Sequence, residues 1–280
     1  MPHLEVNGTK LYYEDTGPPP GPHATGETIV FSHGLLWSTE QFAPQVAALR
    51  SRYRCISWDH RGQGQSAPDP SRNTIGIELA WQDAVALLDK FDAGPVHFCG
   101  LSMGGFVAMR TAARRPDLVR SLLLLETSAD PEPAENVPRY RMLVAIVRVG
   151  AISLVKRRLA PIFLAKSTLA DPTRKADVER FTQIMSARKD AWRAANGVID
   201  RAGIAIELPR INSPTLVIVG DEDVATTPAK AQKLVAGIRG AKLAVIPRAG
   251  HSSSVEQPEA VTSAIDQFLA ALRTPAKRAN

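Results

Sequence analysis

Short continuous apolar runs alternate with longer amphipathic stretches along two parts of this chain. The runs are Thr28–Ser32, Tyr53–Trp58, a segment around Val96–Cys99, Val119–Leu125, Pro214–Val219 and Lys242–Ile246. Between them lie stretches with helical spacing: Phe42–Leu49, Thr74–Phe91, Phe106–Arg115, Thr227–Val235 and Pro258–Leu272. Thr74–Phe91 sets the pattern, with Ile77, Ala80, Trp81, Ala84, Leu87 and Leu88 three or four positions apart. Strands that alternate with helices imply right-handed crossovers and a parallel sheet. Runs as unbroken as Leu122-Leu123-Leu124-Leu125 suit strands covered on both faces. Near the N-terminus, Asn7-Gly8 between two short strand-like runs predicts an antiparallel hairpin.

The alternation stops after Glu126. From Pro131 to about Glu207 no strand is evident, and helix-like stretches follow one another at Tyr140–Val149, Ile152–Leu164, Lys175–Met185 and Asp190–Ala202. The chain thus divides into 1–130 with 208–280, and an insertion, 131–207. The apolar positions Met142, Ile146, Val149, Ile152, Val155, Leu159 and Phe163 are expected to face the sheet.

Composition narrows the classes. With 280 residues, 44% of them apolar, the chain can build a substantial core. It holds no apolar run long enough to span a membrane and no signal-peptide pattern at Met1–Glu5. Cys55 and Cys99 each fall in an apolar run, as buried reduced thiols do, and the chain reads as a soluble cytoplasmic protein. Net charge is +6, concentrated between Ala134 and Arg193, where thirteen Lys and Arg face five Asp and Glu. No zinc, helix-turn-helix or RNA-binding motif accompanies this charge, so no nucleic-acid partner is expected. The basic segment is either a solvated helical face or a surface that attracts anionic substrates. Neither metal-ligand spacing nor a nucleotide-binding glycine motif is present, so neither a metal nor a cofactor is expected.

The chemistry centres on Gly100-Leu101-Ser102-Met103-Gly104, which follows a strand-like run and opens a helix-like one. In that context Gly-x-Ser-x-Gly is a nucleophile elbow: a strained backbone holds the serine clear of the sheet, and glycines avoid collision with the flanking elements. A serine hydroxyl needs a base. Of six histidines, only His251 follows Ser102 in the chain and sits in a loop after a strand. Asp221, Asp223 and Glu126 are candidates for the carboxylate that would orient it.

The chain order Ser, Asp, His, the elbow, the loop His33-Gly34-Leu35-Leu36-Trp37 and the turn Asp59-His60-Arg61-Gly62-Gln63-Gly64-Gln65-Ser66 resemble the α/β-hydrolase family from about Leu4 to Leu272. The resemblance implies an α/β fold with a mostly parallel central sheet flanked by helices. It places a helical cap after the sixth strand, at 131–207. The family spacing Gly-x-x-Asp selects Asp223. The main-chain amides of Leu35 and Met103 become the oxyanion donors, with Trp37, Met142 and Ile146 as candidate pocket residues. His33 then braces its loop. Dehalogenases and epoxide hydrolases of this fold use Asp where this chain has Ser102. Phe98–Gly105 is most similar to the 3-oxoadipate enol-lactonases, which commonly carry Asn-Ser where this chain has His33-Gly34-Leu35-Leu36. The expected activity is therefore cleavage of a small-molecule carboxylic ester or lactone, by a carboxylesterase or an enol-lactonase. A C–C bond hydrolase of the same fold, and a non-catalytic ligand receptor or scaffold, are the alternatives.

Overall fold

The computed structural model describes residues 2–186 and 191–273, with the main chain alone at 152–157 and 185–186. An eight-stranded sheet forms its centre. The first two strands, β1 (His3–Val6) and β2 (Thr9–Asp15), make the hairpin expected at Asn7-Gly8, where both turn residues have positive φ, 45° and 72°. Next come β3 (Thr28–Ser32), α1 (Ala43–Leu49), β4 (Arg54–Trp58), α2 (Ile77–Phe91), β5 (Val96–Leu101), α3 (Met103–Arg114) and β6 (Val119–Leu125). The spatial order is β1-β2-β4-β3-β5-β6, continued by β7 (Thr215–Gly220) and β8 (Lys242–Ile246). β2 meets β4 antiparallel, and all pairings from β4 through β8 are parallel.

The helices inserted between β6 and β7 are α4 (Val137–Arg148), α5 (Ile152–Phe163), α6 (Lys166–Ala170), α7 (Lys175–Ser186) and α8 (Trp192–Ile199). The closing helices are α9 (Pro228–Gly237), the short α10 (Ser253–Glu256) and α11 (Pro258–Arg273). This is the α/β-hydrolase arrangement, with the helical cap after the sixth strand.

Each face of the sheet carries its own apolar layer, as strands with fully buried residues on both sides require. One layer packs Leu87, Val107 and Leu234 against Val30, Phe98 and Leu124; the other packs Leu49, Ile265 and Leu269 against Ile29, Cys99 and Leu123. The cap has a third core, in which Leu143, Phe163, Phe181 and Trp192 take part.

Two differences from the sequence expectation have local causes. α2 begins at Ile77, three residues late, because the Ile75 amide donates to the Arg193 carbonyl and Gly76 stays extended. Within the cap, Met142 and Val149 are 52% and 78% exposed, so they do not face the sheet. The side chains of Ile152 and Val155 lie outside the described residues.

Candidate functional site

β5 delivers Ser102 to the carboxyl edge of the sheet, where open α/β sheets bind their ligands. Ser102 has φ 51° and ψ −110°, and it precedes α3 directly. Its amide donates to the Leu125 carbonyl at 2.9 Å, and the Thr127 hydroxyl donates to its carbonyl at 2.9 Å, which pins the bend from both sides. The tightness of the turn accounts for its glycines. A Cβ on Gly104 would stand 1.9 Å from the Ser32 carbonyl oxygen, and one on Gly100 would stand 2.4 Å from the Gly104 carbonyl.

Loops after β7 and β8 bring the other two groups. His251 Nε2 lies 2.9 Å from Ser102 Oγ, and His251 Nδ1 lies 2.9 Å from Asp223 Oδ2. The carboxylate orders the imidazole: Nδ1–H donates to it, which leaves Nε2 free to accept the serine proton. All three side chains are buried. Asp223 is also held by its own loop, since Oδ1 accepts from the Ala225 and Thr226 amides and Oδ2 accepts from the Thr226 hydroxyl at 2.7 Å. Burial alone would raise the Asp223 pKa. The His251 charge and the hydrogen bonds from His251 and Thr226 outweigh it and hold the carboxyl below its ordinary range. Asp221 is exposed. Glu126, at the end of β6, is buried and accepts from the Gly220 amide at 3.1 Å, while both imidazole nitrogens are engaged by other residues.

Opposite the elbow, the loop after β3 turns at Leu36, which has φ 68°. Gln41 Oε1 accepts from the Gly34 amide at 2.7 Å, and Gln63 Oε1 accepts from the Leu36 amide at 3.0 Å. Among the described residues, the amides of Leu35 and Met103 donate to no protein acceptor. The latter stands at the first position of α3, where helix amides are open and favour negative charge. His33 accepts from the His60 amide through Nε2 at 3.0 Å and meets the Gly34 carbonyl through Nδ1 at 2.7 Å, which makes it the brace of this loop.

Chemically, the set can move a proton from a hydroxyl to an imidazole and hold charge on an attacked carbonyl oxygen. Sequence reasoning missed Thr226 and Gln63. The first follows Asp223 by three positions, one past the Ala225 amide that closes an Asx-turn on the same carboxylate, and the second sits in the Gly-rich turn after β4.

A cavity of about 140 Å³ lies between Ser102 and the cap. Tyr140, Leu143, Val144 and Val147 of α4 line it, an i, i+3, i+4, i+7 stripe. The pocket expectation at Met142 and Ile146 is thereby corrected. Met142 lies about 150° and Ile146 about 110° around α4 from the middle of that stripe, so Met142 faces solvent and Ile146 packs in the cap core. Trp37 is corrected as well. The turn at Leu36 sends it away from Ser102, against Phe181 at a centroid distance of 5.3 Å, where it lines a separate cavity with Leu164 and Val255.

The model of the alpha/beta hydrolase family matches residues 29–264. A Pseudomonas syringae protein that bears the provisional name carbamate hydrolase RutD is 27% identical over 251 residues, 88% of this chain and 95% of its own length. The enol-lactonase from Burkholderia xenovorans superposes with a TM-score of 0.85 at 28% identity, over 96% of this chain and 100% of its own. A thermophilic esterase from Thermogutta terrifontis does so with a TM-score of 0.85 at 29% identity, over 97% of both chains.

Proposed function

Because the chain belongs to the alpha/beta hydrolase family, with enol-lactonase-like relatives, we propose that it is a serine hydrolase that cleaves carboxylic esters or lactones through an acyl-enzyme. The observation that carries this reading is the unbroken relay from Ser102 Oγ through the His251 ring to Asp223 Oδ2.

In the proposed reaction the Ser102 oxygen attacks the substrate carbonyl as His251 Nε2 takes its proton. Asp223 keeps Nδ1 protonated and stabilises the imidazolium that forms. The carbonyl oxygen gains negative charge and is held by the amides of Leu35 and Met103, each worth about 3 kcal/mol in comparable sites. His251 returns the proton to the departing alkoxide, or to the ring oxygen of an opened lactone. A water then gives a proton to His251 as its oxygen bonds the acyl carbon; the bond to Ser102 Oγ breaks, His251 returns the proton to that oxygen, and the acid leaves. The helical cap keeps bulk water from these steps and supplies the apolar wall against which the acyl or alcohol part rests.

A fluorophosphonate probe tests the reading directly. Stoichiometric labelling of Ser102 in folded protein, lost in Ser102→Ala, is expected. An unlabelled native protein would mean a receptor or scaffold instead. Turnover of p-nitrophenyl butyrate, an enol-lactone, an alkyl carbamate and a vinylogous diketone then separates esterase, lactonase, carbamate hydrolase and C–C hydrolase.

A further inference from the structure

The wall of the cavity above Ser102 is mostly aliphatic and aromatic, and beyond Ser102, His251 and Thr226 three polar side chains interrupt it: Glu132, Tyr140 and Arg201. Arg201 lies on the chain just after α8, with its side chain 3% exposed. Its Nη1 donates to Glu132 Oε2 at 2.9 Å and to the Val198 carbonyl at 2.8 Å, and its Nε donates to the Asp130 carbonyl at 3.2 Å. The guanidinium is stacked over the Phe106 ring, 4.5 Å from its centroid. Phe106 is one turn along α3 from Ser102, and its amide donates to the Ser102 carbonyl at 3.0 Å. The polar cluster therefore borders the space where one arm of a substrate bound at Ser102 would lie.

Two donors remain in this cluster. Among the described residues, Arg201 Nη2 and the Tyr140 hydroxyl donate to no protein acceptor. The charge of the pair is already cancelled, because Glu132 is bound to Arg201 through Oε2 and accepts from Asn136 Nδ2 through Oε1 at 3.1 Å. An uncharged oxygen placed here gains two hydrogen bonds and meets no net charge. A carboxylate placed here must shed its water beside the Glu132 carboxylate, with the opposing cation already engaged. Of the basic residues that make segment 134–193 so positive, none among the described residues lines the cavity. The described basic residues of that segment therefore give no direct contact that would neutralise an anion bound here. Tyr140 feels its surroundings in the same sense: burial first, and then the Glu132 charge, raise its pKa, so the phenol keeps its proton as a donor.

We infer that this cavity, which on the reading above is the substrate site, selects esters or lactones whose acid or alcohol arm carries an uncharged hydrogen-bond acceptor such as a ketone or amide oxygen. Arg201 Nη2 and Tyr140 Oη bind that oxygen, and Glu132 rejects the same arm when it ends in a free carboxylate. The three residues act on specificity and take no part in bond breaking.

The test is kcat/KM for three p-nitrophenyl esters of similar length: hexanoate, 5-oxohexanoate and monoglutarate. The wild-type protein is expected to prefer the 5-oxohexanoate over the monoglutarate by about tenfold or more, the scale on which a site built for a polar group rejects a mismatched one. Tyr140→Phe should lower the ratio of oxohexanoate to hexanoate turnover by about fivefold, one hydrogen bond's worth. Glu132→Gln should raise the ratio of monoglutarate to hexanoate turnover by about tenfold, since Arg201 then faces the anion uncompensated. Preference of the wild type for the monoglutarate overturns the inference, as do variants that scale all three esters alike. Should none of the three esters be turned over, fluorophosphonate labelling of Ser102 decides whether the proposed function stands, and the inference is read from binding. Ser102→Ala protein should quench or shift Trp192 fluorescence at lower concentrations of ethyl 5-oxohexanoate than of monoethyl glutarate. The reverse order overturns it.

Discussion

Ser102 and His251 are 149 positions apart in the chain, and their side chains meet at 2.9 Å. The meeting is a consequence of sheet order. β5 and β8 are parallel and separated by β6 and β7, so the turns that leave their carboxyl ends emerge on the same edge. Asp223, on the turn after β7, fills the remaining corner.

Replacing the hydroxyl should abolish chemistry and spare the fold. Ser102→Ala is expected to lower kcat for a short-chain ester by about 10⁴- to 10⁶-fold, with Tm within a few degrees of the parent. A variant that lost stability and kept its rate would make Ser102 a structural residue.

Gly104→Ala should act in the opposite way. Its Cβ would stand 1.9 Å from the Ser32 carbonyl oxygen and 2.5 Å from the Ser32 carbonyl carbon, main-chain atoms of β3 that cannot swing aside as the end of a flexible side chain would. A loss of about 3 kcal/mol or more is expected, read as a lower urea midpoint or as failure to accumulate folded protein. An alanine variant as stable as the parent would contradict the close approach of α3 to β3.

Gln63→Leu removes the acceptor for the Leu36 amide and frees the loop that presents the Leu35 amide. On the proposed mechanism the expected result is a fall in kcat of about 10- to 100-fold with KM nearly constant, because a donor to the oxyanion acts on the charged transition state. Equal damage to both constants would point to a collapsed pocket instead.

Glu126 gives a pH signature of stability. Burial first, with the neighbouring Asp223 and Glu256 charges, pushes its carboxyl well above the ordinary range. The folded protein therefore keeps a proton that the unfolded chain releases above about pH 4.3. Between that pH and the folded pKa, folding binds the extra proton, so stability declines as pH rises. Glu126→Gln keeps the acceptor for the Gly220 amide and removes the titration. Urea midpoints from pH 5 to 8 should decline less steeply in the variant, and parallel slopes would show that Glu126 is ionised in the native state.

Both thiols should be silent in the native protein. Burial pushes Cys55 up to about 12 and Cys99 well above its ordinary value. Alkylation at pH 8 is expected to proceed only with unfolding, and rapid native-state labelling would show that these sites open locally.

The order of elements and the chemistry of the central turn were determined by the chain itself. Unbroken apolar runs mark strands covered on both faces, and a serine between two glycines at a strand-to-helix junction has few other conformations open to it. His251 is placed by its loop after the last strand of the same repeating pattern, whereas Asp223 is separated from Asp221 and Glu126 only by the spacing that the family resemblance implies.

Which face of each cap helix meets the cavity was decided only by tertiary packing. On α4 the stripe Met142, Ile146, Val149 and the stripe Tyr140, Leu143, Val144, Val147 are both apolar, and periodicity has no means of ranking them. Docking onto α8 and α5 selected the second and left Met142 in solvent. The same holds for Trp37, whose direction is set by a positive φ at Leu36 that no side-chain pattern encodes. The Glu132, Tyr140 and Arg201 cluster joins residues from three separate parts of the insertion. Strand order follows from local pattern because one period governs every βα unit; pocket chemistry follows from contacts between distant segments, and these exist only once the cap has closed over the sheet.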